Sequence, residues 1–137
     1  MLKISKKVEY AILAVQYIAT NNESRLTAKE IAKDLNIDFE FLAKTMQLLK
    51  NREIISSKKG KGGGYELVRL PEELTVSDII LAVENKERLH IVDCLEHSNN
   101  ACNRTNECTM RLPFLAIQNK ISKILDNTTI KDMIDLQ

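Results

Sequence analysis

The chain has 137 residues, 44% of them hydrophobic, and a formal net charge of +1. This length suits one domain, or one domain with an oligomerisation arm. No apolar run reaches the ~20 residues that a membrane span needs. The opening residues MLKISKKVEY also lack the apolar stretch of a signal peptide. We therefore predict a soluble, cytoplasmic protein with no membrane partner, whose thiols stay reduced.

The small net charge hides a split between the two halves. Residues 1–65 carry 12 Lys/Arg against 7 Asp/Glu, a net of +5, whereas residues 66–137 carry 8 against 12, a net of −4. A basic half is typical of proteins that bind polyanions. Many other soluble proteins have an equally uneven charge distribution, so this difference alone does not identify a protein that binds polyanions.

The first two predicted helices lie before residue 36. One runs from Ser5 to about Asn21, where apolar residues recur at helical spacing: Val8, Ala11, Ile12, Val15, Ile18 and Ala19. The other begins at a capping box formed by Thr27 and Glu30 and ends near Leu35. A turn at Asn36 follows.

A third helix is predicted after Asp38, which is placed to cap it. Its buried face is Leu42, Met46 and Leu49, and its opposite face is wholly polar: Glu40, Lys44, Gln47 and Asn51. Two helices with a short turn between them, the second with such a face, form the helix-turn-helix pattern. An isolated polar face is more often simply solvated, so the neighbouring motif matters.

That neighbour is a basic hairpin. Residues 54–58 and 65–68 are predicted strands, and KGKGGG (59–64) is a turn that demands positive φ. Lys58, Lys59 and Lys61 would project from its tip, and glycine amides such as that of Gly62 can approach phosphates closely. A P-loop is rejected, because the lysine–Ser/Thr ending and the following helix are both missing. The hairpin therefore indicates a wing.

Pro71 ends this module, and Thr75 with Asp78 opens another capped helix. Beyond Pro113 a last long helix is predicted to about Leu125, with one apolar stripe: Ile117, Ile121, Ile124 and Leu125. The stripe packs either on its own domain or on a second copy. We favour the copy, because two-fold symmetry suits palindromic DNA.

The chain's three cysteines, Cys94, Cys102 and Cys108, lie in the polar stretch DCLEHSNNACNRTNEC. Three thiols cannot all pair within one chain, and buried structural cysteines normally lie in apolar sequence. The cluster therefore indicates metal or iron–sulfur ligands, with a thiol redox switch as the alternative. Zinc remains open, although the CxxC pairs of structural zinc sites are missing.

These motifs together resemble the Rrf2 family of winged helix-turn-helix transcription regulators, which includes the cluster-binding repressors IscR and NsrR. The matching stretches are ISKKVEYAILAVQYIA (4–19), LTAKEIAKDLNI (26–37), FLAKTMQLLKNREIISSKKGKGGGYELVR (41–69) and LTVSDIILAVE (74–84). The resemblance implies a recognition helix in the major groove and a wing along the minor groove. The DNA-facing residues it implies here are Asp38, Glu40, Lys44, Gln47, Lys58, Lys59, Lys61 and Gly62. The two acids depart from the small polar residues expected there, but carboxylates can accept from cytosine.

The resemblance also implies that Cys94, Cys102 and Cys108 hold a 2Fe-2S or 4Fe-4S cluster. Arg111 stands where IscR-like members place a histidine ligand, and it cannot ligate iron. Glu9 stands where NsrR-like members supply a carboxylate from the other subunit, so we expect it to be the fourth ligand. His97 is the rival, and His90 is less favoured.

The sequence thus predicts a mainly α protein: a winged helix-turn-helix domain with a small β-hairpin wing at 1–70, then a cluster-binding loop (about 93–110) and a dimerisation helix within 71–137. The implied function is a homodimeric repressor-type regulator that binds an operator in double-stranded DNA. It would sense iron–sulfur status, redox state or nitric oxide. The alternatives are a thiol sensor without a cluster, or a metal-handling protein that does not bind DNA. No catalytic constellation or site for a small-molecule substrate is recognised.

Overall fold

The computed structural model of the chain describes residues 2–21, 24–86, 89–92, 94, 102–104 and 107–137. The helices are α1 (Lys6–Thr20), α2 (Ala28–Leu35), α3 (Phe39–Asn51), α4 (Val76–Glu84), α5 (Arg111–Asn127) and α6 (Ile130–Asp135). Strands β1 (Ile55–Lys58) and β2 (Gly64–Leu67) form an antiparallel hairpin. The predicted fold class is therefore confirmed. Among the described helices, none combines the length and the apolar content that crossing a bilayer requires.

Helices α2, α3 and α4 begin directly after the predicted capping residues Thr27, Asp38 and Thr75. The Thr27 hydroxyl accepts from the backbone N–H of Glu30 at 3.2 Å, and the Glu30 carboxylate accepts from the N–H of Thr27 at 2.8 Å. The bond from the Thr27 N–H, together with one that the Thr27 hydroxyl donates to the same carboxylate at 2.9 Å, holds the pKa of Glu30 below its ordinary value. Reciprocal boxes of the same kind begin α4 at Thr75 and α6 at Thr129. Each box satisfies two backbone donors that the first helical turn leaves free.

One buried cluster holds the helices together. Its largest fully buried side chains are Ile31, Leu42, Met46, Leu49, Ile54, Ile55, Leu74, Ile79 and Ile130. The cluster draws on residues before and after position 70, and the division of the chain there stays a prediction. The C-terminus is tied in by backbone hydrogen bonds from Ile130 N–H to Leu74 O (2.8 Å) and from Val76 N–H to Thr128 O (2.9 Å).

The wing is docked on the segment that precedes α2. The Tyr65 N–H donates to Leu26 O at 2.8 Å. Gly64 has φ +135°, and a Cβ there would lie 2.7 Å from Leu26 O. Only glycine fits this close approach. The second strand therefore begins at Gly64, one residue earlier than predicted, and Val68 lies beyond it with 55% of its surface exposed.

Helix α5 also begins earlier than predicted. It starts at Arg111, so Pro113 lies inside its first turn and not before the helix. An amide N–H in the first turn has no partner within the helix, so the missing N–H of proline costs nothing there.

Candidate functional site

The α3 face opposite the core is exposed and polar, as predicted. Glu40, Lys44, Gln47 and Asn51 are all exposed, while Leu42, Met46 and Leu49 are fully buried beneath them. The Gln47 amide donates to the Asn51 side-chain oxygen at 2.9 Å. The face thus presents an acid, a lysine and a hydrogen-bonded amide pair, all of which can reach a ligand without disturbing the core.

The two acids at the start of α3 have different environments. One carboxylate oxygen of Asp38 accepts from the Phe41 N–H at 2.9 Å, which makes Asp38 the N-cap of α3. Glu40 is exposed, and no hydrogen bond or ion pair holds its side chain within the described residues. The geometry therefore gives Asp38 a structural role and leaves Glu40 free to meet a partner.

Two aromatic rings beside this face were missed by the sequence reasoning. Phe39 and Phe41 keep 42% and 37% of their surface exposed. The Phe41 ring packs edge-on against Tyr10, with centroids 5.4 Å apart, and Lys29 Nζ lies 5.8 Å from the centroid of Phe39. Their exposure could have been expected from the sequence, because their positions on the helix fall outside the buried stripe of Leu42, Met46 and Leu49.

The wing tip carries three lysines within four residues. Lys58, Lys59 and Lys61 are exposed, and across the described residues no carboxylate lies within ion-pair distance of any of them. Gly60 and Gly62 have φ of +89° and +75°, as the turn requires. At the base of the wing, Arg25 Nε lies 3.4 Å from a Glu66 carboxylate oxygen. The three ammonium groups are thus left for a polyanion.

The predicted cluster ligands are not gathered in the described residues. Cys94, Cys102 and Cys108 are each half-buried and in no disulfide. Where the chain is described, no group of three or more His, Cys, Asp or Glu side chains could hold a metal ion. Much of the predicted loop, including Asp93, residues 95–101 and therefore His97, lies outside the described residues.

The expected fourth ligand, Glu9, lies on the surface in the first turn of α1. Its carboxylate is 3.0 Å from Lys6 Nζ, and its side chain is 45% exposed. The Glu9 carboxylate raises the pKa of Lys6, first through their hydrogen bond and then through charge attraction. The Glu9 carboxylate is therefore accessible from outside the chain.

His90 lines a cavity of about 490 Å³ between the N-terminal arm, α4 and α5. The lining is mainly apolar, with Leu2, Ile4, Ile80 and Ile121 among its residues. The Nδ1 atom of His90 is buried and has no hydrogen-bond partner within the described residues. Nearby, the Ile91 N–H donates to the side-chain oxygen of the buried Gln118 on α5 at 3.0 Å.

Comparison with known proteins places this architecture in a family. The sequence profile of the Rrf2 family, described as an iron-dependent transcriptional regulator, matches residues 4–136. This chain belongs to the Rrf2 family. The resemblance seen in the sequence is thereby confirmed, and the chain is a member of a family of transcriptional regulators.

Individual relatives of this Rrf2 protein differ in their names. A protein of Aquifex aeolicus, provisionally named an HTH-type transcriptional regulator, is 31% identical over 97% of this chain and 92% of its own length. The regulator NsrR of Halalkalibacterium halodurans is 24% identical over 97% and 90%. The structure of CymR, described as the global cysteine regulator of B. subtilis, superposes with a TM-score of 0.79 at 28% identity, covering 100% of this chain and 99% of CymR.

Proposed function

We propose that this Rrf2 protein binds operator DNA as a homodimer, with α3 in the major groove and the β1–β2 wing along the backbone. The observation that carries the proposal is that α3 has an exposed polar face and that the hairpin directly after it carries three exposed lysines with no ion-pair partner in the described residues. A helix-turn-helix reads bases with its second helix, while basic side chains and backbone amides hold phosphates. The docking of Gly64 against Leu26 supports a fixed distance between wing and helix.

Salt-dependent DNA binding tests this proposal. Replacing Lys59 or Lys61 by alanine should weaken binding to all sequences alike and lower the salt slope by about one unit each, because each lysine releases about one counterion. Lys44→Ala should weaken specific sites more than random DNA. Lys123→Ala, an exposed lysine on α5, is the control and should change neither quantity. Binding that ignores both salt and the wing lysines would refute the proposal.

The three cysteines are proposed to hold an iron–sulfur cluster that sets DNA affinity. The donor set fits, because three reduced thiols in fifteen residues are the ligands that such clusters take. A bound cluster would supply iron that responds to oxygen, nitric oxide or iron supply. The protein's own part is to transmit the change: Ile91, three residues before Cys94, is bound to Gln118 of α5. A reorganised cysteine segment would thereby shift α5 and the spacing of the two recognition helices.

A second candidate is thiol chemistry without a cluster, and the likeness to CymR, named for cysteine regulation, favours it. Anaerobic purification separates the two. A cluster predicts brown protein with bound iron and sulfide, and changing any one of Cys94, Cys102 or Cys108 to alanine should bleach it while it stays folded. Colourless wild-type protein whose DNA affinity changes on thiol oxidation would establish the second candidate.

A further inference from the structure

Phe39 is the first residue of α3 and is exposed where a recognition helix meets DNA. It follows the N-cap Asp38, and 42% of its surface is open to solvent. In a helix-turn-helix the N-terminal residues of the second helix lie nearest the base edges. A large apolar side chain at this position is therefore expected to contact the edge of a base.

Phe39 and its neighbour Phe41 differ in their ring contacts. The nearby Phe41 ring rests edge-on against Tyr10 with a centroid distance of 5.4 Å. Among the described residues, the ring contact recorded for Phe39 is the ammonium of Lys29, 5.8 Å from its ring centroid, and Phe39 is not part of the buried cluster. The Lys29 charge beside the ring is suited to a phosphate of the same groove, which would hold the ring against the bases.

We propose that Phe39 contacts the C5-methyl group of a thymine in the major groove and so selects thymine at one operator position. The proposal rests on the DNA-binding function argued above. Among the four bases only thymine presents a methyl group in that groove, whereas cytosine carries a hydrogen at the same C5 position and an amino donor where thymine has its O4 acceptor. A phenyl ring cannot satisfy that donor, so burying it against the ring would be unfavourable. Phe39 is thus a specificity-determining residue, while the wing lysines supply general affinity.

Deoxyuridine substitution isolates the methyl group. A binding site is first selected from a random duplex library with wild-type protein, and each thymine is then replaced singly by deoxyuridine. At one position the wild-type affinity should fall about threefold to fourfold, the equivalent of about 0.8 kcal/mol for one buried methyl group. Phe39→Ala should bind the thymine and deoxyuridine duplexes equally. Its affinity for random DNA should match that of the wild type.

Phe41→Ala is the matched control, because it removes an exposed ring that already has an aromatic neighbour. It should retain the wild-type response to deoxyuridine. Phe39→Gln is a second variant that keeps the length of the side chain without its apolar ring, and it should behave as Phe39→Ala. Equal deoxyuridine sensitivity in the wild type and both Phe39 variants, or none in the wild type at any position, overturns the proposal. Since salt-dependent binding would persist in either case, this failure is distinct from failure of the DNA-binding function.

Discussion

Glu9 lies in the first turn of α1 with its carboxylate 3.0 Å from Lys6 Nζ. In the folded chain this is an exposed ion pair, a type of contact that adds little stability. Breaking the ion pair would cost little free energy, so the Glu9 carboxylate is available to bind a metal ion. Asp38 shows the opposite situation, since its carboxylate is used by the backbone of α3. Residue type alone did not distinguish these two acids, because the difference comes from what each carboxylate faces.

Replacement of Glu9 tests whether it is the fourth ligand. A carboxylate is a weak ligand for cluster iron compared with thiolate. Glu9→Ala should therefore still bind a cluster, but one with an altered visible spectrum that decays faster in air. Glu9→Cys should make the cluster more persistent. The measurement is anaerobic absorbance followed by its decay after exposure to air.

Lys6→Ala controls for loss of the ion pair and should leave the decay rate unchanged or slower. His97→Ala should change little. A faster decay in His97→Ala, with wild-type behaviour in Glu9→Ala, would instead assign the ligand to the cysteine segment.

The elements that were predicted well are those governed by local rules. Capping boxes fix α2 and α4, because a threonine and an acid three residues later satisfy backbone donors wherever the rest of the chain lies. The start of α5 was wrong because Pro113 is tolerated inside a first turn, so a proline alone does not mark a boundary. The exposure of the polar face of α3 follows the same kind of local rule, whereas its contact with DNA stays a prediction. The cysteine segment has no hydrophobic periodicity, and its geometry depends on a bound group or partner that no local rule describes.

The wing offers a test of how one element is positioned. Gly64→Ala should destabilise the fold by about 3 kcal/mol, because it adds backbone strain and a Cβ against Leu26. Gly60→Ala is the matched control: its φ is +89°, but a Cβ there meets nothing within 4 Å. It should cost only about 1 kcal/mol, the strain of a left-handed residue.

Denaturant unfolding measures the free energy of unfolding of both variants. DNA affinity, measured under native conditions, reports whether the wing keeps its position. Gly64→Ala should lose more affinity than Gly60→Ala even where both are fully folded. Equal losses would mean that the contact with Leu26 does not hold the wing in its binding position.

At the scale of the whole molecule, the backbone at Ile91, three residues before Cys94, is linked to the long helix α5 by a buried polar contact. Gln118 is 6% exposed, and its side-chain oxygen accepts from the Ile91 N–H. A buried side-chain amide is nearly always hydrogen-bonded, because leaving its polar atoms without a partner is costly. Toward α1, the Ser5 hydroxyl donates to Glu84 of α4 at 2.6 Å. The first contact therefore joins the backbone before the cysteines to α5, and the second joins the start of α1 to the end of α4.

Gln118→Met should make DNA affinity independent of the state of the three cysteines. The substitution keeps the side-chain volume but leaves the Ile91 N–H unsatisfied, at a cost of about 1–3 kcal/mol. We expect the DNA affinities of untreated and thiol-oxidised or iron-depleted protein to become similar, although both forms still bind. Asn119→Ala, at the neighbouring exposed position, should preserve the wild-type difference between them. If Gln118→Met also preserves that difference, the signal takes another route.

The remaining whole-molecule feature is apolar surface on α5. Ile117 and Ile124 lie two turns apart on one face of α5 and keep 43% and 65% of their surface exposed. Such exposure on one helix is typical of an interface, and a two-fold interface uses each residue twice. Ile124→Lys should therefore weaken the dimer roughly 100-fold, since two buried isoleucines contribute about 3 kcal/mol together. Operator affinity should fall with it.

Sedimentation velocity over a concentration series measures the dimer directly. Asn119→Lys introduces the same charge on the side of α5 away from Ile117 and Ile124, and should leave the dimer intact. Because the cross-subunit role of Glu9 requires a second copy, monomeric Ile124→Lys should also lose cluster persistence in air, as Glu9→Ala does. A monomeric variant whose cluster decays at the wild-type rate would place every ligand within one subunit. The dimer would then serve only to pair the two recognition helices on DNA.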